Sequence, residues 1–426
     1  MAEFTAAVYQ NEFLPEGGTD VNAIVTIACT GAGEAGRSGA GDAGEIIIVD
    51  TSGSMGRTKI EAAKQAASAA LDQILDGTWF AVVAGTHTAY LAYPPARAGA
   101  GMVKMDRQTR FEAQQAVQMF RSDGGTAMGT WLVLAGRLFD SVPMLAQRHA
   151  ILLTDGENHN ESSEQLTSSI HAVTGKFQCD CRGVGVDWQV AEVRRIAQAL
   201  LGSVDIIPSA DKMAEVFDAL MQQSMSRGVA DAELRVWAPQ GSQVMFVRQV
   251  SPNVEDLTQR RVEVNPLTSG YPTGSWADES RDYHISVRLS AKGIGQEQLA
   301  ARVQLAVAGA VQAQGLVKAK WSSDEGLTTR INPEVAHYTG QTELAEAIQE
   351  GLAAKAAGDD AGATTKLGRA VQLAAQTGNE EVTTRLRKVV DIDNVETGTV
   401  RLKRSIDKAD EMALDTASTK TTRVRP

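Results

Sequence analysis

Between residues 45 and 226 five short apolar runs alternate with six stretches of helical periodicity, and this alternation constrains the fold more than any other feature of the chain. The runs cover residues 46–49, 79–84, 151–154, 182–186 and 204–207. Continuous apolar character over so few residues marks strands covered on both faces, because a strand with one face in water alternates instead. The helical stretches fall at 59–75, 109–120, 128–141, 162–174, 190–201 and 211–226. In the first of them Ile60, Ala63, Ala67, Leu71 and Ile74 share one face. The pattern predicts a doubly wound α/β domain around a mostly parallel sheet, spanning residues 43–227.

Outside that segment the texture differs. Residues 4–9 and 21–29 are apolar and β-branched, separated by the turn-forming Pro15-Glu16-Gly17-Gly18, and predict two strands. From residue 228 the period switches to two, with strands expected at 234–237, 244–250, 261–264, 283–289, 301–307 and 316–321. Together these predict a β-sandwich over 228–325, with Tyr283, Trp237, Trp276 and Trp321 as core. The N-terminal pair in 1–42 is expected to complete it, which would make the α/β domain an insertion. Residues 333–393 are Ala-rich and helical, with breaks at Gly358-Asp359-Asp360 and Gly378-Asn379; a helical hairpin and a tetratricopeptide-like unit both fit the spacing. Residues 394–426 are polar, Thr-rich and basic at the tip, and read as a tail.

Composition removes several function classes. Forty-one basic against 52 acidic side chains leave a net charge of −11, which disfavours binding to nucleic acid or to an anionic membrane. Three cysteines are too few for a disulfide framework, and Cys179 and Cys181 read as buried thiols. The N-terminal residues carry no basic and apolar leader, and no run of about 18 apolar residues occurs, so a cytoplasmic protein is expected. Gly31-Ala32-Gly33-Glu34-Ala35-Gly36 spells G-x-G-x-x-G, but glycine and serine follow it where an apolar helix is required, so it reads as a linker. No P-loop and no G-x-S-x-G elbow is present.

The residues that carry chemistry lie at strand ends. Asp50-Thr51-Ser52-Gly53-Ser54 follows the first strand of the α/β segment, Asp123-Gly124-Gly125-Thr126 opens a helix, and Thr154-Asp155-Gly156 ends another strand. The carboxyl edge of such a sheet is where ligands bind. Asp50-Thr51-Ser52-Gly53-Ser54 by itself would also suit a helix N-cap and turn. Taken together, Asp50, Ser52, Ser54, Thr126 and Asp155 form an all-oxygen set with two formal charges, suited to Mg²⁺ or Mn²⁺ rather than to Zn²⁺. Neutral hydroxyls would leave the ion electrophilic toward a carboxylate.

These residues resemble the von Willebrand factor type A domain, whose DxSxS motif Asp50, Ser52 and Ser54 match, with Thr126 and Asp155 at its distal threonine and aspartate. Gly124-Gly125-Thr126-Ala127-Met128-Gly129 and Leu153-Thr154-Asp155-Gly156 extend the likeness, which covers about residues 45–226. The resemblance implies a metal-ion-dependent adhesion site, in which the serines and the threonine touch the ion, the aspartates act directly or through water, and a partner protein's Asp or Glu completes the octahedron. The whole chain is similar to multidomain bacterial cytoplasmic proteins, of actinobacterial type, through Ser280-Arg281-Asp282-Tyr283-His284 and Arg330-Ile331-Asn332-Pro333. Some of those are encoded near Ser/Thr kinases and forkhead-associated modules, which implies such partners here. With five hydroxyl residues among basic charges in 415–425 and no apolar face, the tail is expected to be a docking segment phosphorylated at Thr419, Thr421 or Thr422, an unmodified solvated terminus being the alternative. The expectation is a non-enzymatic, metal-dependent protein-binding module. A Mg²⁺-dependent hydrolase and an accessory subunit of a separate ATPase are the alternatives, the hydrolase weakened by the lack of a second metal cluster or an evident nucleophile. His159, just past Asp155, reads as a solvated loop residue.

Overall fold

The computed structural model describes residues 2–33, 43–95 and 101–423. The Gly-rich linker expected after Gly33 lies outside the described residues. The chain forms two compact units, one built from residues 31–230 with Gly274–Ala277 and the other from Glu3–Thr30, Asp231–Thr273 and Asp278–Pro426. Strands β1 (Glu3–Gln10), β2 (Phe13–Leu14) and β3 (Asp20–Thr30) precede the first unit in the chain and belong to the second.

The first unit holds, in order, β4 (Ala43–Asp50), α1 (Gly56–Gln73), β5 (Trp79–Gly85), β6 (Ala89–Tyr93), β7 (Val103–Lys104), α2 (Arg107–Gln118), α3 (Met128–Asp140), β8 (Gln147–Thr154), α4 (Ser163–Val173), β9 (Gln178–Val184), α5 (Val190–Ala199), β10 (Val204–Ile207) and α6 (Met213–Met225). Its sheet runs β10-β9-β8-β4-β5-β6 with β7 also on β5, parallel from β10 to β5 and antiparallel at β6 and β7. Every residue of β4 is buried, which accounts for its unbroken apolar run. Ile60, Ala63, Ala67, Ala70 and Leu71 form the buried face of α1. Capping boxes start α2 at Asp106 and α4 at Ser162. Strand β9 begins four residues before the expected 182, and it buries Cys179 and Cys181 with their sulfurs 3.9 Å apart.

Where the parallel strands begin, a buried polar cluster ties them to the last helix. His149 lies between Glu45 Oε2 at 2.8 Å and Asp180 Oδ2 at 2.9 Å, Ser224 donates its hydroxyl to Glu45, and Arg227 pairs with Asp180. Burial opposes a charged imidazole, but the Glu45 carboxylate and the bonds to Asp180 and Glu45 outweigh it and hold His149 above its ordinary value.

The second unit continues with β11 (Val229–Trp237), β12 (Gln243–Ser251), β13 (Glu255–Asp256), β14 (Val262–Asn265), β15 (Thr268–Trp276), β16 (Glu279–Arg288), β17 (Glu297–Val307) and β18 (Ala310–Trp321). One sheet runs β1-β3-β16-β12-β13 and the other β14-β15-β11-β17-β18-β2. Strand β3 pairs along its length with β16, Val25 facing Tyr283, and β2 joins β18. Tyr283 and Trp321 are core residues, whereas Trp237 is half-buried with the Arg302 guanidinium over its ring. Strand β15 went unread in the sequence because Gly270, Pro272 and Gly274 look like turn residues.

The C-terminal region departs further from expectation. After the one-turn α7 (Glu325–Thr328) come three helices, α8 (Pro333–Ala356), α9 (Asp360–Gln376) and α10 (Glu380–Val389), interrupted at the two expected breaks, the helix count of one and a half tetratricopeptide-like repeats rather than of a hairpin. The segment read as a polar tail contains β20 (Thr399–Leu402), paired with β19 (Val390–Asn394), and then α11 (Lys408–Ala417). Helix α11 buries Met412, Leu414, Thr416 and Ala417, starts on an Asp407 cap and carries Asp410 and Glu411 in its first turn, where the dipole favours them. Beyond it the chain stays packed: Thr421 Oγ1 donates to Val250 O at 2.7 Å, and Arg423 makes two bonds to the buried Asp282. Small residues and threonines hid this apolar face from a polarity reading. Among the described residues no helix is long and apolar enough to cross a membrane.

Candidate metal centre

Strands β4 and β8 are parallel neighbours, with Val49 opposite Leu153, so Asp50 and Asp155 emerge side by side at the carboxyl edge. The chain also reverses its direction of travel across the sheet here, since β5 lies on one side of β4 and β8 on the other. A crevice at such a point is the expected ligand site of a doubly wound sheet.

Asp50 is fully buried, and its carboxylate accepts from the Ser52 amide at 2.8 Å and from the Thr154 hydroxyl at 2.6 Å. Burial pushes its carboxyl up to about 6, against those bonds, and the neighbouring Asp155 adds to the rise. A turn at Gly53–Met55 brings Ser54 back so that the Ser52 and Ser54 hydroxyls stand 2.8 Å apart, and Ser54 donates to Asp155 Oδ1 at 2.7 Å. The other oxygen of Asp155 receives the Lys59 ammonium at 2.6 Å.

The third loop is fixed to the first by main-chain bonds from Gly53 N to Gly124 O at 2.8 Å and from Asp123 N to Thr51 O at 2.9 Å. Ser122 adds a hydroxyl bond to Ser52 O. Thr126 is held on its other side by Asn160, whose side chain accepts from the Thr126 amide and whose own amide donates to the Thr126 carbonyl. Helix α3 has no side-chain cap of its own at Ala127; Asn158 and Glu161 accept from the amides of Met128 and Gly129 instead.

Gly156 supplies the fit test. A methyl group there would fall 2.9 Å from Ser54 Oγ and 3.3 Å from Thr126 Oγ1, so the glycine leaves open the small space that these hydroxyls border. Ser52, Ser54 and Asp155 are in direct hydrogen-bonded contact, Asp50 is anchored to Ser52, and Thr126 reaches the same space across Gly156. Among the described residues no group of three or more His, Cys, Asp or Glu side chains has the arrangement of a metal site. The donors here are hydroxyls and two carboxylates, and that oxygen set fits a hard divalent cation.

The remaining sequence candidates lie elsewhere. His159 is solvated, its side chain 73% exposed and 3.4 Å from Glu157. Thr419, Thr421 and Thr422 belong to the second unit, where Thr422 Oγ1 accepts from Gln341. Thr154, Lys59, Asn158, Asn160 and Glu161 were not singled out from the sequence. The polar run Glu157-Asn158-His159-Asn160-Glu161 directly after the Asp155-Gly156 pair was the available signal for three of them.

Comparison with known proteins agrees with this geometry. Residues 45–206 match the von Willebrand factor type A domain family, and residues 372–418 match the von Willebrand factor type A C-terminal domain. A protein of Synechocystis sp., sll0103, is 28% identical over 218 residues, which is 50% of this chain and 49% of that protein. The chain thus spans about half the length of that relative. The solved structure of the ArnB paralog VWA2 from Sulfolobus acidocaldarius shares the fold at a TM-score of 0.60, with 14% identity and 98% of each chain covered. A von Willebrand factor type A protein from Catenulispora acidiphila is 48% identical, at a TM-score of 0.93, over 99% of this chain and 97% of that one. A likeness that extends through both units at this identity is one of family, and the chain belongs to the von Willebrand factor type A family.

Proposed function

We propose that the chain is a non-enzymatic protein-interaction module that captures an acidic side chain of a partner protein through a divalent cation, Mg²⁺ or Mn²⁺, held by Asp50, Ser52, Ser54, Thr126 and Asp155. The observation that carries this reading is the convergence of oxygen donors from three loops around the space left open by Gly156. When bound, the cation supplies an electrophilic centre for a carboxylate. Asp50 and Asp155 supply two negative charges, fewer than would quench a divalent ion that already faces the Lys59 ammonium. Thr154 orients the Asp50 carboxylate from behind, and Asn160 fixes the backbone that presents the Thr126 hydroxyl.

Calorimetric titration of the chelator-stripped chain with MgCl₂ and MnCl₂ tests the metal. Capture of partners from source cells in Mg²⁺ and in EDTA, with the wild type and Thr126→Ala, tests its use. Binding heat that Asp50→Ala abolishes, with partner capture sensitive to both EDTA and Thr126→Ala, is the expected result. Hydrolysis of phosphate esters that requires Mg²⁺ and Asp50 would overturn the non-enzymatic reading.

A further inference from the structure

We propose that Lys59 is a tethered cation that shares Asp155 with the divalent ion and thereby sets the affinity of the centre for that ion, an inference that rests on the metal-dependent reading above. Lys59 is the fourth residue of α1, and its ammonium is 2.6 Å from Asp155 Oδ2 and 3.3 Å from Asp187 Oδ2. The Asp155 side chain is completely buried, whereas that of Lys59 is 26% exposed. The carboxylate is therefore divided, one oxygen accepting from the Ser54 hydroxyl and the other from the ammonium.

The lysine has a built seat. At Gly185, where φ is +69°, a side-chain carbon would lie 3.8 Å from both the Cε and the Nζ of Lys59. The backbone after β9 therefore passes close to the ammonium. Without a metal, Lys59 leaves one net negative charge on the Asp50–Asp155 pair if both are ionised. With a divalent ion added, the ion, Asp50, Asp155 and Lys59 sum to one net positive charge, which the solvent-exposed Asp187 carboxylate offsets in part, and removing the ammonium lowers the sum by one charge whichever carboxylates are counted. Because like charges in a part-buried site repel strongly, the ammonium weakens metal binding while preserving positive potential for an acidic partner. The arrangement makes the centre exchangeable rather than a permanent structural site.

The test is MgCl₂ titration of the full chain by calorimetry, in the wild type, Lys59→Met and Lys59→Arg, together with melting in EDTA. Lys59→Met should bind Mg²⁺ about tenfold more tightly or better, while Lys59→Arg, which keeps the charge, should stay within about threefold of the wild type. In EDTA, Lys59→Met should melt below the wild type, and Mg²⁺ should close that gap. If Lys59→Met fails to fold, Lys59→Gln, polar but uncharged, takes its place in the comparison. Equal or weaker Mg²⁺ binding by the uncharged variant overturns the inference and leaves the metal reading standing. Absence of Mg²⁺ and Mn²⁺ binding from every chain overturns the metal reading and the inference with it.

Discussion

The Thr154 hydroxyl donates to Asp50 Oδ2 at 2.6 Å across 104 residues of sequence, and both groups are completely buried. Thr154→Val keeps the shape and removes the donor, leaving a carboxylate oxygen without its partner. The expected cost is about 1–3 kcal/mol in urea unfolding, with weaker Mg²⁺ binding on calorimetry. A variant as stable as the wild type, with unchanged metal affinity, would show that the bond does not orient Asp50.

Metal removal should be visible in thermal stability. A ligand bound only to the native state adds about 2.7 kcal/mol at one hundred times its dissociation constant. The first unit should therefore melt higher in Mg²⁺ than in EDTA, and Asp50→Ala should erase the difference. Coincident wild-type curves at millimolar Mg²⁺, with no binding heat, would contradict the proposed centre.

The His149 cluster predicts a pH dependence of the first unit. Its histidine is held above the ordinary value of 6.5 by Glu45 and Asp180, with Arg182 and Arg227 on the Asp180 side. The stabilisation is thus complete below about pH 6.5 and lost as pH rises through the folded value, at roughly 1.4 kcal/mol per unit of displacement. Denaturant unfolding from pH 6 to 9 should show this loss in the wild type and not in His149→Gln. Parallel profiles for the two chains would place the effect elsewhere.

Arg423 is the last described side chain with a buried partner. Its two bonds to Asp282, with those of Tyr338 and Thr26 to the same carboxylate, hold that acid below the usual carboxylate range despite burial. Arg423→Ala should destabilise the second unit by about 1–3 kcal/mol, and Asp282→Asn in the same chain should recover part of the loss. Limited proteolysis after residue 417, faster in Arg423→Ala than in the wild type, is the accompanying readout.

What the sequence made legible follows from physics that acts locally. Strand β4 could be read because burial on both faces demands an unbroken apolar run, and the convergence of the five oxygen donors because three strand-end loops carry them in the order of the von Willebrand factor type A motif. Strand β15 could not, since its glycines and proline carry the local signature of turns even though it pairs with β14 and β11. Helix α11 was obscured for a related reason: its buried face includes Thr416, whose hydroxyl is satisfied by the Met412 carbonyl and so costs little to bury. Lys59 and Thr154 were invisible as site residues because their roles arise from partners about a hundred residues away.

The insertion of the α/β unit between β3 and β11 also imposes an order of events at the ribosome. Strand β3 is made early, yet its neighbour β16 follows more than 250 residues later, as the Thr26–Asp282 bond spans 256 positions. At about 5–20 residues per second that is a wait of roughly 10–50 s, during which Ile24, Val25 and Ile27 lack their final cover. The α/β unit, which lies almost entirely within residues 31–230, is able to close within that interval, while the sandwich stays an open-edged hairpin until translation nears its end. A nascent chain from which residues up to about 230 have emerged should therefore present a folded α/β unit while β3 still lacks its partner strand, the state in which a chaperone would find most to hold.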